Sequence, residues 1–224
     1  MPKIPNVPLL ILALTLSIVG LYAMLVWAPA EAKMEESYRI FYLHVPAAWV
    51  AYLALGMSLV SSILYLKTKN SKFDTFAEVT AILGVLYATL TIILGSIWAN
   101  VAWGTYWNWD PRETTTLILW ISYAGYLGLR ASIENVEKRA VLPAIYNIFA
   151  FSTVPLSYIS VIYWQTLHPQ IITGEGISTT PDMITTLLLN LVASSVMFLF
   201  FLNLLYRIRR AERVLDEYEE STWR

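Results

Sequence analysis

No cysteine occurs anywhere in the 224 residues, so the chain forms no disulfide, attaches no group through a thioether and exchanges no thiol. None of the nine glycines is followed by lysine, which excludes a phosphate-cradling GxxxxGK[ST] loop and ATP hydrolysis by this chain alone. Histidine is nearly absent, with only His44 and His168. Charged residues make up 14% of the chain and sum to a net charge of −1, so no basic surface calls for a nucleic-acid partner. Internal repeats, low-complexity tracts and a soluble domain of useful size are missing too.

Hydrophobic residues fill 57% of the sequence, and the mean hydropathy is +0.56. Those values fit a chain whose solvent is mostly lipid. A span needs about 20 apolar residues, and the pattern predicts six transmembrane helices near 7–27, 41–66, 77–101, 111–129, 141–164 and 182–206. The expected fold is a single all-α membrane domain over 1–224, with a charged helical extension at 207–224. Ala28, Pro29 and Ala30 imitate a signal cleavage site, but the apolar run before them exceeds the usual signal core of roughly 7 to 15 residues. A retained first helix is expected.

Cations set the orientation, because lysine and arginine are held on the cytoplasmic side during insertion. With both termini inside, only Lys33, Arg39 and Arg112 fall outside. Lys3, Lys67, Lys69, Lys72, Arg130, Lys138, Arg139, Arg207, Arg209, Arg210, Arg213 and Arg224 fall inside, where the loops read as plain connections. The outer segments 28–40, 102–113 and 165–182 hold or adjoin the unusual chemistry.

Of nine tryptophans, Trp223 alone lies on the inner tail, although aromatic belts mark both interfaces. Trp27, Trp98 and Trp164, each near a helix end, read as interfacial anchors. Trp103, Trp107 and Trp109 crowd around Gly104 and Tyr106 in WGTYWNWDPRET. Glycine there permits a tight turn or the approach of a planar ligand, and indole faces offer rigid apolar contact suited to a porphyrin. Asp110 reads first as the N-cap of the fourth span, with Pro111 as its first residue and Glu113 completing a capping box. Arg112 suits either a lipid phosphate or a haem propionate.

His44 opens HVPAAW, where Pro46 is placed to begin a helix. His168 lies in TLHP beyond the fifth span. Each alone reads as a hydrogen-bonded interfacial residue. Both fall at one surface beside the aromatic segment, however, and imidazole is a common axial ligand of haem iron. Zinc sites want more nitrogen or sulfur ligands than this face offers.

HVPAAW at 44–49, the tryptophan motif at 103–110 and YWQTLHP at 163–169 resemble the haem exporter protein C family, haem-handling C subunits of cytochrome c maturation systems. The likeness runs nearly end to end. It implies that His44 and His168 are axial ligands of a non-covalent b-type haem, cradled by Trp49, Trp103, Trp107, Trp109 and the neighbouring Asp110 and Arg112. It further implies a site on the outer face of the cytoplasmic membrane and delivery of haem to a membrane-tethered haem chaperone, not catalysis. Expected partners are an ATP-binding subunit, a second membrane subunit and a small single-span subunit. WDPRET is closer to the related cytochrome c synthase subunits, which are larger and have more spans and histidines. A synthase-type subunit is therefore one alternative, and a small-molecule transporter another. A transporter would place polar groups deep in the spans, where Asn190 and Asn203 are the main ones. An electron-carrying cytochrome b would instead hold its histidines inside facing helices.

Overall fold

The computed structural model describes residues 6–31, 34–169, 172–173, 176–177 and 180–222. Lys3, Lys33, Trp223 and Arg224, which entered the charge and tryptophan counts, lie outside them. The helices are α1 (Val7–Tyr22), α2 (Phe41–Thr68), α3 (Ser71–Trp103), α4 (Pro111–Ser132), α5 (Val136–Ala150), α6 (Thr153–Tyr163) and α7 (Pro181–Thr222). A π-helical turn, Ala23–Trp27, extends α1, and a 3-10 turn, Glu36–Ile40, leads into α2. Added to this all-α plan are a two-residue antiparallel pairing before α7, β1 (Ile172–Thr173) with β2 (Gly176–Ile177), and an isolated bridge between Glu31 and Glu35.

Among the described residues, five helical segments are long and apolar enough to cross a membrane: Val7–Trp27, Glu36–Thr68, Ser71–Trp103, Lys138–Tyr163 and Pro181–Leu215. The chain is a multi-pass membrane protein. Helix α4 has the length for a crossing, at 22 residues, but is not among those five. Its polar residues explain this, because Thr115, Tyr123, Tyr126 and Arg130 turn inward and are buried by protein.

The fifth predicted span is one crossing segment, Lys138–Tyr163, interrupted by a turn at Phe151 and Ser152 between α5 and α6. Pro155 has no N–H to return to the Phe151 carbonyl, and its ring crowds that turn. The Phe151 carbonyl accepts from Val154 N–H at 3.0 Å instead, and in the same turn Ser152 Oγ donates to Phe149 O at 2.7 Å and Thr153 Oγ1 to Ala150 O at 2.6 Å. Pro46 does not open α2 as expected. The helix begins at Phe41, so Pro46 is internal and His44 sits on an established turn.

A central core of α2, α3, α4, α5, α6 and α7 side chains surrounds Val50, Leu55, Val79, Tyr123 and Phe198. Hydrogen bonds pin helices within it. The Asn147 amide donates to Ser58 and Ser62 Oγ, both at 2.8 Å, and Asn190 donates to Gly20 O at 3.1 Å. Such bonds fasten helices where lipid supplies no hydrophobic drive between them. Asn203, expected deep in a span, is exposed instead, so these residues do not line a polar route through the bundle.

The loops opposite the tryptophan motif are more than connections. Asp74 on α3 takes a two-pronged bond from Arg130 on α4, at 2.8 and 2.7 Å, and a third from Arg213 on α7 at 2.7 Å. Glu78 joins the cluster, 3.2 Å from Arg130 and 3.1 Å from Arg213. Arg130, counted above among loop cations, is thus a buried structural ion. Helix α7 runs without a break through the expected tail, 42 residues or about 63 Å, and that continuity brings Arg213 to the cluster.

Candidate functional site

At the other end of the bundle the start of α2, the end of α3, the start of α4, and α6 with the loop after it enclose a cavity of about 580 Å³. That size suits a ligand of several hundred ångströms cubed. His44, Trp49, Trp98, Trp103, Trp107, Arg112 and His168 line it. Trp49, Tyr158 and Ile162 line the cavity while remaining more than half exposed. The cavity therefore opens sideways between α2 and α6.

The two imidazoles line the same cavity, with ring centroids 6.3 Å apart and planes at 55°. Two imidazoles on one metal, with bonds of about 2.0 Å, have centroids roughly 6 Å apart. His44 Nδ1 lies 3.1 Å from Thr91 O. A carbonyl only accepts, so Nδ1 carries the proton and Nε2 keeps the lone pair that binds metal. Burial first, then the Arg112 cation and His44, push the His168 ring down to about 3. It is neutral at physiological pH, the state that coordination requires.

Helix α3 ends because Gly104 adopts φ 77, the left-handed cap, with its N–H on Asn100 O at 3.0 Å. A Cβ there would meet no protein atom within 4 Å, so in this structure the glycine serves the left-handed turn. Trp103 stacks edge-on to Trp98 at 5.2 Å, and Trp98 stands in the same manner against His168 at 6.2 Å. Trp98, expected as an interfacial anchor, is instead a wall of the cavity. Its buried Nε1 and the buried Nε of Arg112 have no hydrogen-bond partner. A buried donor without an acceptor is costly where it stands. Another Arg112 nitrogen donates to Tyr52 Oη at 3.2 Å, which fixes the guanidinium at the wall.

Trp109 does not line the cavity. It is 69% exposed, edge-on to Trp107 at 5.8 Å, with a left-handed φ of 63. A bulky residue in that conformation is strained and is kept only where surroundings demand it. Asp110 is also outside the lining, but buried. As expected it caps α4, accepting from Arg112 N–H at 2.9 Å. Glu113 reaches back to Asn108 N–H at 3.1 Å, while Asp110 N–H goes to the Asn108 side chain at 2.9 Å. A further role was not foreseen. The Asp110 carboxylate accepts from Thr166 Oγ1 at 2.7 and 2.8 Å and from Leu167 N–H at 2.7 Å. Tyr52, Trp98, Gly95 and Thr166 were all missed as site residues: the first three lie outside the quoted motifs, and Thr166, though inside YWQTLHP, shows no role until Asp110 is brought against it.

Comparison with known proteins gives the family. Residues 4–224 match the family model described as Heme exporter protein C. A cytochrome c biosynthesis ccmC-like mitochondrial protein of Marchantia polymorpha is 32% identical over 204 residues, 91% of this chain and 85% of its own length. The Heme exporter protein C of Haemophilus influenzae is 29% identical over 216 residues, 95% of this chain and 85% of its own. That of Bradyrhizobium diazoefficiens is 29% identical over 182 residues, 80% of this chain and 69% of its own. The chain belongs to the Heme exporter protein C family.

Proposed function

We propose that this chain takes haem as cargo in the cavity and presents it to a membrane-tethered haem chaperone for cytochrome c maturation, without itself catalysing covalent attachment. The observation that carries this reading is the pair of imidazoles, spaced for one iron, in a cavity lined by Trp49, Trp98, Trp103, Trp107 and Arg112. His44 and His168 are the axial ligands. Arg112 receives a propionate, since its planar fork suits carboxylates. Trp49, Trp98, Trp103 and Trp107 supply apolar walls for a non-covalent b-type haem, while Trp109 stands outside as surface for the recipient.

The distribution of Lys67, Lys69, Lys72, Lys138, Arg139 and Arg207 at the far end of the bundle supports a cytoplasmic location for that end and for both termini. The cavity then faces the extracytoplasmic side of the cytoplasmic membrane. An ATP-binding subunit, a second membrane subunit and a small single-span subunit are the expected company, because the chain has no nucleotide loop to drive release. A covalent synthase is less well supported, since the synthases carry additional histidines and this chain has only two.

Purified chain should carry about one equivalent of haem and pass it to added apo-chaperone in the presence of its partner subunits. Thioether formation on an apocytochrome with no chaperone present would move the reading to the synthase.

A further inference from the structure

His44 and His168 are held in unlike ways. His44 is carried on a helix of 28 residues and its ring is anchored to Thr91 O. His168 is on a non-helical segment that leaves α6 at Trp164, whose backbone is extended at φ −118 and ψ 151. Among the described residues, the hydrogen bonds that tie 165–169 to the helices end on Asp110. Thr166 is the joint. Its hydroxyl donates to the Asp110 carboxylate and at the same time accepts the His168 N–H at 3.0 Å. Leu167 N–H reaches the same carboxylate. Two successive amides of the histidine loop are therefore referred, one directly and one through a hydroxyl, to a carboxylate fixed at the N-terminus of α4.

We infer that Thr166 is a positioning residue that sets His168 as an axial ligand, and that His168 is the ligand that opens when haem is released. The inference rests on the haem-binding reading above. A carboxylate at a helix N-terminus is well stabilised where it stands, so the Asp110 side of the clamp is rigid and the loop side is the part that parts from it. Outer partners of metal ligands of this kind typically change metal affinity by about 10- to 100-fold. Breaking the clamp should leave His44 in place and free His168.

The test uses the full-length protein in detergent, loaded with ferric haem. Thr166→Val keeps the shape and removes both hydrogen bonds, and Thr166→Ser restores them. Asp110→Asn keeps a good N-cap but presents an N–H₂ in place of one acceptor oxygen. Thr166→Val and Asp110→Asn should each convert the six-coordinate low-spin spectrum to a largely five-coordinate one. Added free imidazole should bring the low-spin spectrum back, and haem should leave about 10- to 100-fold faster. Thr166→Ser should match wild type. In haem-free protein the Leu167 and His168 amides should exchange slowly in wild type and quickly in both clamp variants. A wild-type spectrum and wild-type protection in Thr166→Val and Asp110→Asn would overturn the inference. Should wild type itself lack a bis-imidazole spectrum, the haem reading fails first, and amide exchange still decides whether the clamp holds the loop.

Discussion

Gly95 lies beneath the ring of His44, so close that a Cβ at that position would stand 2.9 Å from Cε1 and 3.4 Å from Nδ1. Ring and backbone share one space, and the ring is also held by the Thr91 carbonyl one turn earlier on α3. Gly95→Ala should therefore push the imidazole off its bond and away from the cavity axis. We expect folded protein with a weakened low-spin haem spectrum, and Gly95→Val to lose it. Normal haem spectra in both variants would show that His44 has more freedom than this contact allows.

Acid dependence follows from His168. The neutral ring binds metal, and burial beside Arg112 lowers its protonation to about pH 3 in the haem-free protein. Between pH 7 and pH 5 an ordinary histidine gains its proton, but this one stays neutral. Haem affinity should accordingly be flat over that range and fall only in stronger acid. Protons taken up by the unfolded chain below about pH 6.5 have no counterpart at this site in the folded one, so the same shift lowers folded-state stability as the pH falls. A titration of haem binding that declines with a midpoint near 6.5 would contradict the buried position of His168.

Arg112 offers a prediction about the ligand's charge. Losing a hydrogen bond to a charged group costs about 1.5–3 kcal/mol, so Arg112→Gln should weaken haem binding by roughly tenfold or more. Haem dimethyl ester, which has no carboxylate, should bind wild type and Arg112→Gln alike. Arg112→Lys should recover only part of the loss, since an ammonium lacks the planar fork. Equal weakening of haem and its diester would reassign Arg112 to holding Tyr52 and the cavity wall.

Much of the fold was legible because the bilayer imposes a length and an apolarity that any spanning segment must meet. What escaped was set by side chains meeting across distance. Pro155 puts a turn inside the fifth span, which hydropathy averages over and does not reveal. Arg130 counted as a loop cation, since nothing local reveals that Asp74, 56 residues away, will bury it. In the site, His44, His168, Trp103, Trp107 and Arg112 stood out by rarity or crowding. Trp98 looked like one more helix-end tryptophan, and Thr166 like one more hydroxyl. Their roles arise from the approach of α3 and the α6 loop, which spacing along the chain does not encode.

The ion cluster at the opposite end makes a stability prediction. Removing one member of a buried pair leaves its partner charged and unpaired, at a cost of about 3–5 kcal/mol. Arg130→Met should destabilise the protein to that extent against denaturing detergent. Arg213→Met should cost less, because Asp74 retains both bonds from Arg130. Variants with equal and small losses would mean that the cluster is solvated in the membrane-embedded protein.

The most direct trial of the central claim is the electronic spectrum, with electron paramagnetic resonance, of haem bound to purified wild type, His44→Ala and His168→Ala. We predict a low-spin bis-imidazole signature in wild type and its loss in each single variant, with partial return on adding free imidazole. A wild-type signature that survives either substitution would show that these two rings do not share one iron.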